Sequence, residues 1–153
     1  MEYGKVTTER LRNLRGVNER IQWCRDQLDH GYLIGEASVQ EWATRAKGTV
    51  PREEYAEAMR AVERSRERIR CEMEEMIRER DALMAWIDAI PKDDVRASIF
   101  LHFVKGYSYL TIAVQYFGDA ITPEGVRLMC GRCIRGEHQG FAGRPKKKDG
   151  ETQ

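Results

Sequence analysis

The sequence predicts an all-α protein, an N-terminal antiparallel helical hairpin of coiled-coil type followed by a module of three short helices. Three observations lead there. Residues 52–90 contain no glycine or proline and repeat apolar side chains at heptad spacing. Residues 91–135 break into three short periodic segments separated by glycine-bearing turns. The composition, 41% hydrophobic and 33% charged, suits helices that each bury one stripe.

The first periodic stretch runs from Thr8 to His30. Leu14, Ile21 and Leu28 recur every seven residues, with Leu11, Val17 and Cys24 beside them. Thr7 or Thr8 suits the N-cap and Gly31 the stop. Gly16 weakens this helix by about 1 kcal/mol relative to alanine. A connector follows over residues 31–51, in which residues 38–46 could form a short helix ending near Gly48.

The second helix is expected from Arg52 to Ile90, where Glu, Arg, Ala and Met dominate. Pro51 precedes it and Pro91 ends it. At a rise of 1.5 Å per residue it makes a rod of roughly 58 Å. One heptad column reads Tyr55, Val62, Ile69, Met76, Leu83, Ile90. The other reads Met59, Arg66, Met73, Arg80, Ile87, interrupted twice by arginine. The first helix is too short to cover this seam. Its remainder must meet either the C-terminal module or a second copy of the chain. For a homodimer, the oligomerisation residues are Val62, Ile69, Met73, Met76 and Leu83.

After Pro91 the pattern changes. Asp93 and Asp94 sit in a first helical turn, where carboxylates favour the dipole. Val95, Ile99 and Phe103 form its inner face, with Phe100 and Val104 alongside, and Gly106 stops it. Ser108 caps the next helix, Tyr109 to Phe117, whose inner face is Ile112, Ala113 and Tyr116. Gly118-Asp119-Ala120 make a turn. Thr122 caps the third helix, with Pro123 at its first position. Val126, Met129, Cys130 and Cys133 face inward; Glu124, Arg127, Arg132 and Arg135 face outward. Three such helices read as a helix-turn-helix.

Charge is graded along the chain. The net charge is +1 overall, but residues 52–90 carry 8 basic and 11 acidic side chains. Arg127 to Lys148 holds seven basic residues against one acid, Glu137. Such asymmetry points to an anionic partner at the C-terminal end. The major groove of double-stranded DNA is about 12 Å wide and admits one helix. Thr122 and the free N–H groups of the third helix can hold a phosphate. Arg127 projects early on the outer face and suits guanine O6/N7, while Arg132 and Arg135 suit phosphates. The DNA-facing set is therefore Ser108, Thr122, Glu124, Arg127, Arg132 and Arg135, extended by the tail.

Two stretches carry a family resemblance. Ile90-Pro91, then a helix ending Phe103-Val104-Lys105-Gly106-Tyr107-Ser108-Tyr109, then Ile112-Ala113, resembles region 4 of bacterial sigma-70 factors. Thr122-Pro123-Glu124-Gly125-Val126-Arg127, with Arg132 behind it, resembles small sigma-region-4-like regulators encoded by phages and prophages, whose recognition helix opens Thr-x-acid-x-Val-Arg. In that group a helical coiled-coil half precedes the module. The interval from Ala113 to Val126 is longer here than in ordinary region 4, and Gly125 and Gly131 fall inside the third helix. Nothing resembles the promoter-melting parts of a sigma factor. The resemblance implies a DNA-binding transcription regulator of late-gene type, with RNA polymerase as a further partner.

The tail, residues 136–153, contains Arg144-Pro145-Lys146-Lys147-Lys148 and no apolar periodicity. It is expected to be disordered when free. Gly143-Arg144-Pro145 followed by lysines looks like an AT-hook core for a narrow minor groove; the plainer reading is a solubilising basic tail. Under either, Arg144, Lys146, Lys147 and Lys148 add phosphate contacts.

Other chemistry finds little support. The sequence shows no P-loop, no Gly-x-Gly-x-x-Gly and no His-Glu-x-x-His. Cys130-x-x-Cys133 with His138 falls short of a zinc set, and core packing on a helical face explains both thiols. Neither an enzyme nor a cofactor is expected. The opening MEYGKVTTER has no apolar signal region, and no stretch approaches 18 uncharged apolar residues. A cytoplasmic location without membrane contact follows, with Cys24, Cys71, Cys130 and Cys133 as free thiols. The alternative function is a protein-interaction module working through the long acidic helix, such as a terminase small-subunit-like packaging adaptor or an inhibitor docked on a host protein.

Overall fold

The computed structural model describes residues 3–30, 41 and 52–137. Among these residues every regular element is helical and no strand occurs. The elements are α1 (Thr8–Arg12), α2 (Val17–His30), α3 (Arg52–Asp88), α4 (Asp93–Ile99), α5 (Tyr109–Thr111) and α6 (Pro123–Arg132). The first two of these last three run on into a π-helical turn, Phe100–Val104 and Ile112–Tyr116, and α6 runs on into Cys133–Glu137, which is broken at Gly136, φ +87°. Contacts divide the chain into two compact units: residues 16–79, and residues 1–15 with 80 onward. The expected short helix over 38–46, the stop at Gly31 and the basic tail lie outside the described residues, apart from Glu41.

In the unit Gly16–Glu79, α2 buries Val17, Ile21, Cys24 and Gln27, and α3 buries Val62. The continuous helix expected over Thr8–His30 is broken into α1 and α2. Gly16 takes φ +74°, a left-handed conformation that no helix interior accepts and that glycine adopts without strain. Arg66, one of the two arginines that interrupt the apolar column, has a local task. Its guanidinium donates to the Leu28 carbonyl at 2.6 Å. That carbonyl is among the last four of α2, which have no partner within the helix.

Replacing Arg66 with Met keeps the apolar stem and removes the donor. We expect a loss of about 1–3 kcal/mol, the cost of an unmade hydrogen bond to a part-buried carbonyl. The urea midpoint of unfolding measures it.

In the other unit, Thr7 caps α1, its Oγ1 accepting from the Arg10 N–H at 3.2 Å. Leu11 and Leu14 are buried on this side, as are Leu83, Ile87 and Ile90 at the end of α3. Helix α6 packs against both α4 and α5. Val95, Ile99 and Phe103 from the α4 segment, Ile112 and Ala113 after α5, Val126 and Cys130 on α6, and Cys133 just after it are buried. Tyr116, expected on the inner face, is instead 44% exposed. Its hydroxyl donates to Asp94 Oδ1 at 3.3 Å, which lets the ring lie outside the core and tie the α5 segment to the start of α4.

Gly106 ends the α4 segment at φ +82°, and the Tyr107 N–H closes back on the Leu101 carbonyl at 2.9 Å. The turn before α6 holds two left-handed residues, Gly118 and Asp119, and the Asp119 N–H donates to the Ala113 carbonyl at 3.0 Å. Thr122 then caps α6, its Oγ1 accepting from the Gly125 N–H at 3.0 Å, with Pro123 at the first position. Gly125 is there for space: a Cβ would stand 2.8 Å from Ile121 Cγ2 and 3.3 Å from Thr122 Oγ1. At Gly131 the nearest atom is the flexible end of exposed Arg135, at 3.2 Å.

The two glycines of α6 should therefore respond oppositely to alanine. Gly125→Ala is expected to destabilise by about 1–3 kcal/mol through overpacking. Gly131→Ala is expected to stabilise by up to about 1 kcal/mol through helix propensity. Thermal unfolding of both variants beside the parent tests this.

Candidate nucleic-acid interface

Helix α6 has two faces of opposite character. Val126 and Cys130 are wholly buried, and Cys133 follows them in the next turn. Glu124, Arg127, Arg132 and Arg135 are exposed on the other side. Burial pushes the Cys130 thiol up to about 12, with the neighbouring Cys133 adding to it, and Cys133 itself up to about 11. Both sulfurs stay protonated at neutral pH and act as small apolar core groups.

Arg127 does not hang free. Its Nε donates to Glu124 Oε1 at 3.0 Å, and its Nη2 donates to Glu124 Oε2. The hydrogen bonds from Arg127 hold the Glu124 carboxyl below the ordinary glutamate range, and the same pair raises Arg127. A guanidinium has five N–H donors in a flat fork. Glu124 occupies the Nε/Nη2 edge, which leaves the Nη1/Nη2 edge of this exposed side chain with two donors in one plane. Glu124 thus fixes the plane of the arginine without using it up. Arg132, among the described residues, has no ion-pair partner.

Ser108 and Thr122 serve as caps. Ser108 Oγ accepts from the Thr111 N–H at 3.0 Å and lies 2.9 Å from Thr111 Oγ1. Each capping hydroxyl accepts through oxygen; the Thr122 hydroxyl keeps a proton to donate, while the Ser108 and Thr111 hydroxyls share a hydrogen bond with each other.

Beside α6 lies a ring pair that no sequence motif announces. His102 stacks on Tyr109 with centroids 3.9 Å apart and planes 14° from parallel. His102 Nδ1 lies 2.7 Å from the Tyr107 carbonyl; a carbonyl only accepts, so Nδ1 carries the proton. Burial lowers the His102 pKa, the Tyr107 bond opposes this, and the charges of Arg15 and Arg12 lower it further. Burial pushes the Tyr109 hydroxyl up to about 12; Cys130 adds to the rise, while Arg127 and Arg12 oppose it. Arg12 and Arg15, far away in sequence, are thus neighbours of this pair.

The expected oligomerisation residues divide. Val62 and Leu83 are buried within the single chain, 3% and 0% exposed, because each joins the core of its own unit. As they stand, neither is open to a second copy. Ile69, Met73 and Met76 are half-buried. Arg144, Lys146, Lys147 and Lys148 lie outside the described residues. Among the described residues no helix is long and apolar enough to cross a membrane. No protein-family model, no curated protein and no solved structure matches the chain.

His102 yields a test with a defined sign. Its folded pKa lies below the unfolded value, so the unfolded chain takes up its proton first on acidification. The stability this group supports is complete above the ordinary histidine value of about 6.5 and falls as pH drops through it. Urea unfolding at pH 7.5 and 5.5 should show a smaller acid loss for His102→Phe than for the parent.

Proposed function

We propose that the chain is a sequence-specific DNA-binding transcription regulator of phage or prophage type. Helix α6 is its major-groove reader, and α4, α5 and α6 act together as a sigma-70 region 4-like helix-turn-helix. The observation that carries the reading is the pair of faces on α6: an apolar face fixed against α4 and α5, and an exposed face with Arg127 held in one plane by Glu124. A helix anchored on one side and cationic on the other suits a groove lined by phosphates and base edges.

In this reading Arg127 meets guanine O6/N7 through its outer edge, Thr122 and the α6 N-terminus hold a phosphate, and Arg132 and Arg135 contact the backbone. Ser108 lies at the start of the preceding helix, where backbone contacts are also made. The resemblance in the stretch Thr122–Arg127 supports the phage-type assignment. The first half acts as an antiparallel helical hairpin, supported by contacts that run in opposite senses: Leu28 meets Arg66, and Cys24 feels the charge of Glu72. Its Ile69–Met76 stretch serves a homodimer or RNA polymerase. The protein works by binding in the cytoplasm and has no catalytic step of its own.

The test starts from a random library of duplexes, from which the protein should enrich one sequence family. Arg127→Ala should then weaken binding to the selected duplex by about 1–3 kcal/mol and relax discrimination at one base position. Arg132→Ala should weaken binding to all duplexes alike. Failure to enrich any sequence would overturn the reading.

A further inference from the structure

We propose that the N-terminal segment is part of the nucleic-acid face, with Arg12 and Arg15 as phosphate contacts flanking α6. This rests on the reading of α6 given above and extends it to residues on the far side of the sequence.

Residues 3–15 belong to the same compact unit as α4, α5 and α6. Arg15 lies over the Gly106 turn: a Cβ at Gly106 would stand 3.4 Å from its Nε and 3.7 Å from its Nη2. That turn leads directly into Ser108 and Tyr109. His102 and Tyr109 are stacked at 3.9 Å, and this pair feels Arg12 and Arg15 from one side of the chain and Arg127 from the other. Three arginines from two segments, 12–15 and α6, therefore act on one pair of rings. Lys105, exposed beside Gly106, adds a fourth positive charge to the same turn.

Positive charges gathered in this way repel one another, and no protein core requires it. Among the described residues Arg12 has one acidic partner in reach, Glu9 at 3.7 Å, with both side chains more than two-thirds exposed (68% and 79%). Such a surface pair contributes little, so a phosphate can replace the carboxylate at small cost. Arg127 has Glu124 on its Nε/Nη2 edge. A carboxylate answers one such charge at a time, whereas an extended anion spans several at once. A duplex backbone supplies that, with one charge per about 1.7 Å of axis. The two arginines lie outside the reading helix, so they should add affinity without base preference.

The experiment uses the full chain and two fluorescent duplexes, the selected sequence and a scrambled one, titrated from 50 to 200 mM salt. Arg12→Gln is the main variant, because its side chain is exposed and its loss leaves the fold unstrained. Arg15→Gln is the second, with its urea midpoint checked because it covers Gly106. Each should lower the log–log salt slope by about 0.9 and weaken binding to both duplexes by roughly tenfold at 100 mM salt, and the double variant by about 60-fold. The ratio between the two duplexes should not change. Arg12→Lys should restore the slope, and Arg60→Gln, in the other unit, should leave it unaltered. An unchanged slope in Arg12→Gln, alongside lost binding in Arg127→Ala, would overturn this inference and leave the α6 reading intact. A changed sequence preference in Arg12→Gln would overturn the phosphate role. A parent protein that bound both duplexes equally, or neither, would end both.

Discussion

A helix of ten residues, the length of α6, does not persist alone in water, where stable isolated helices need about 12–15 residues or more. What holds α6 is the burial of Val126 and Cys130, with Cys133 one turn on, against α4 and α5. The direction of the charged face follows from that contact. Glu124, Arg127 and Arg132 point outward because the residues between them in the helical repeat are locked inward. The Thr122 cap and the missing side chain at Gly125 serve the same end: they let the first turn of α6 start close against Ile121.

Electrostatics refine what packing sets up. An exposed arginine on a helix samples many rotamers, and ordering it on a ligand has an entropic cost of up to about 2 kcal/mol. Glu124, one turn before Arg127, meets it with both carboxylate oxygens and restricts those rotamers beforehand. An exposed pair of this kind adds little to stability; its effect is on orientation. The His102–Tyr109 stack acts in the same manner on the neighbouring turn. With Nδ1 committed to the Tyr107 carbonyl, the ring is fixed in plane and stays neutral among arginines.

Much of this was legible in the residues. The stops at Gly106 and Gly118, the caps at Ser108 and Thr122, and the inner faces of α4 and α6 are local signals, readable from spacing and from known capping chemistry. The rest depends on tertiary demand. A lone glycine in an apolar repeat either stays helical at a modest cost or turns left-handed, and nothing near Gly16 announces which. Arg66 reads as a flaw in an apolar column because its acceptor, the Leu28 carbonyl, lies on another helix. Tyr116 has the spacing of an inner residue, but its hydroxyl needs a partner, and Asp94 supplies one only at the surface. The neighbours of His102 are the least legible, since Arg12 and Arg15 reach it across the whole intervening chain.

A chain of nearly neutral net charge is a poor candidate for a polyanion partner if charge is counted over its whole length. The count is the wrong quantity. At physiological salt an exposed charge is felt over about 8 Å, so the field at a bound phosphate depends on the side chains within one or two turns of it. The acidic excess of residues 52–90 is spread along a helix of 37 residues, most of it in a different compact unit from α6. Arg12, Arg15 and Arg127, by contrast, are concentrated about one stacked pair of rings. Near neutrality over the whole sequence is therefore compatible with a positive field beside particular residues, and it is the local arrangement, not the total, that decides what a bound anion would feel.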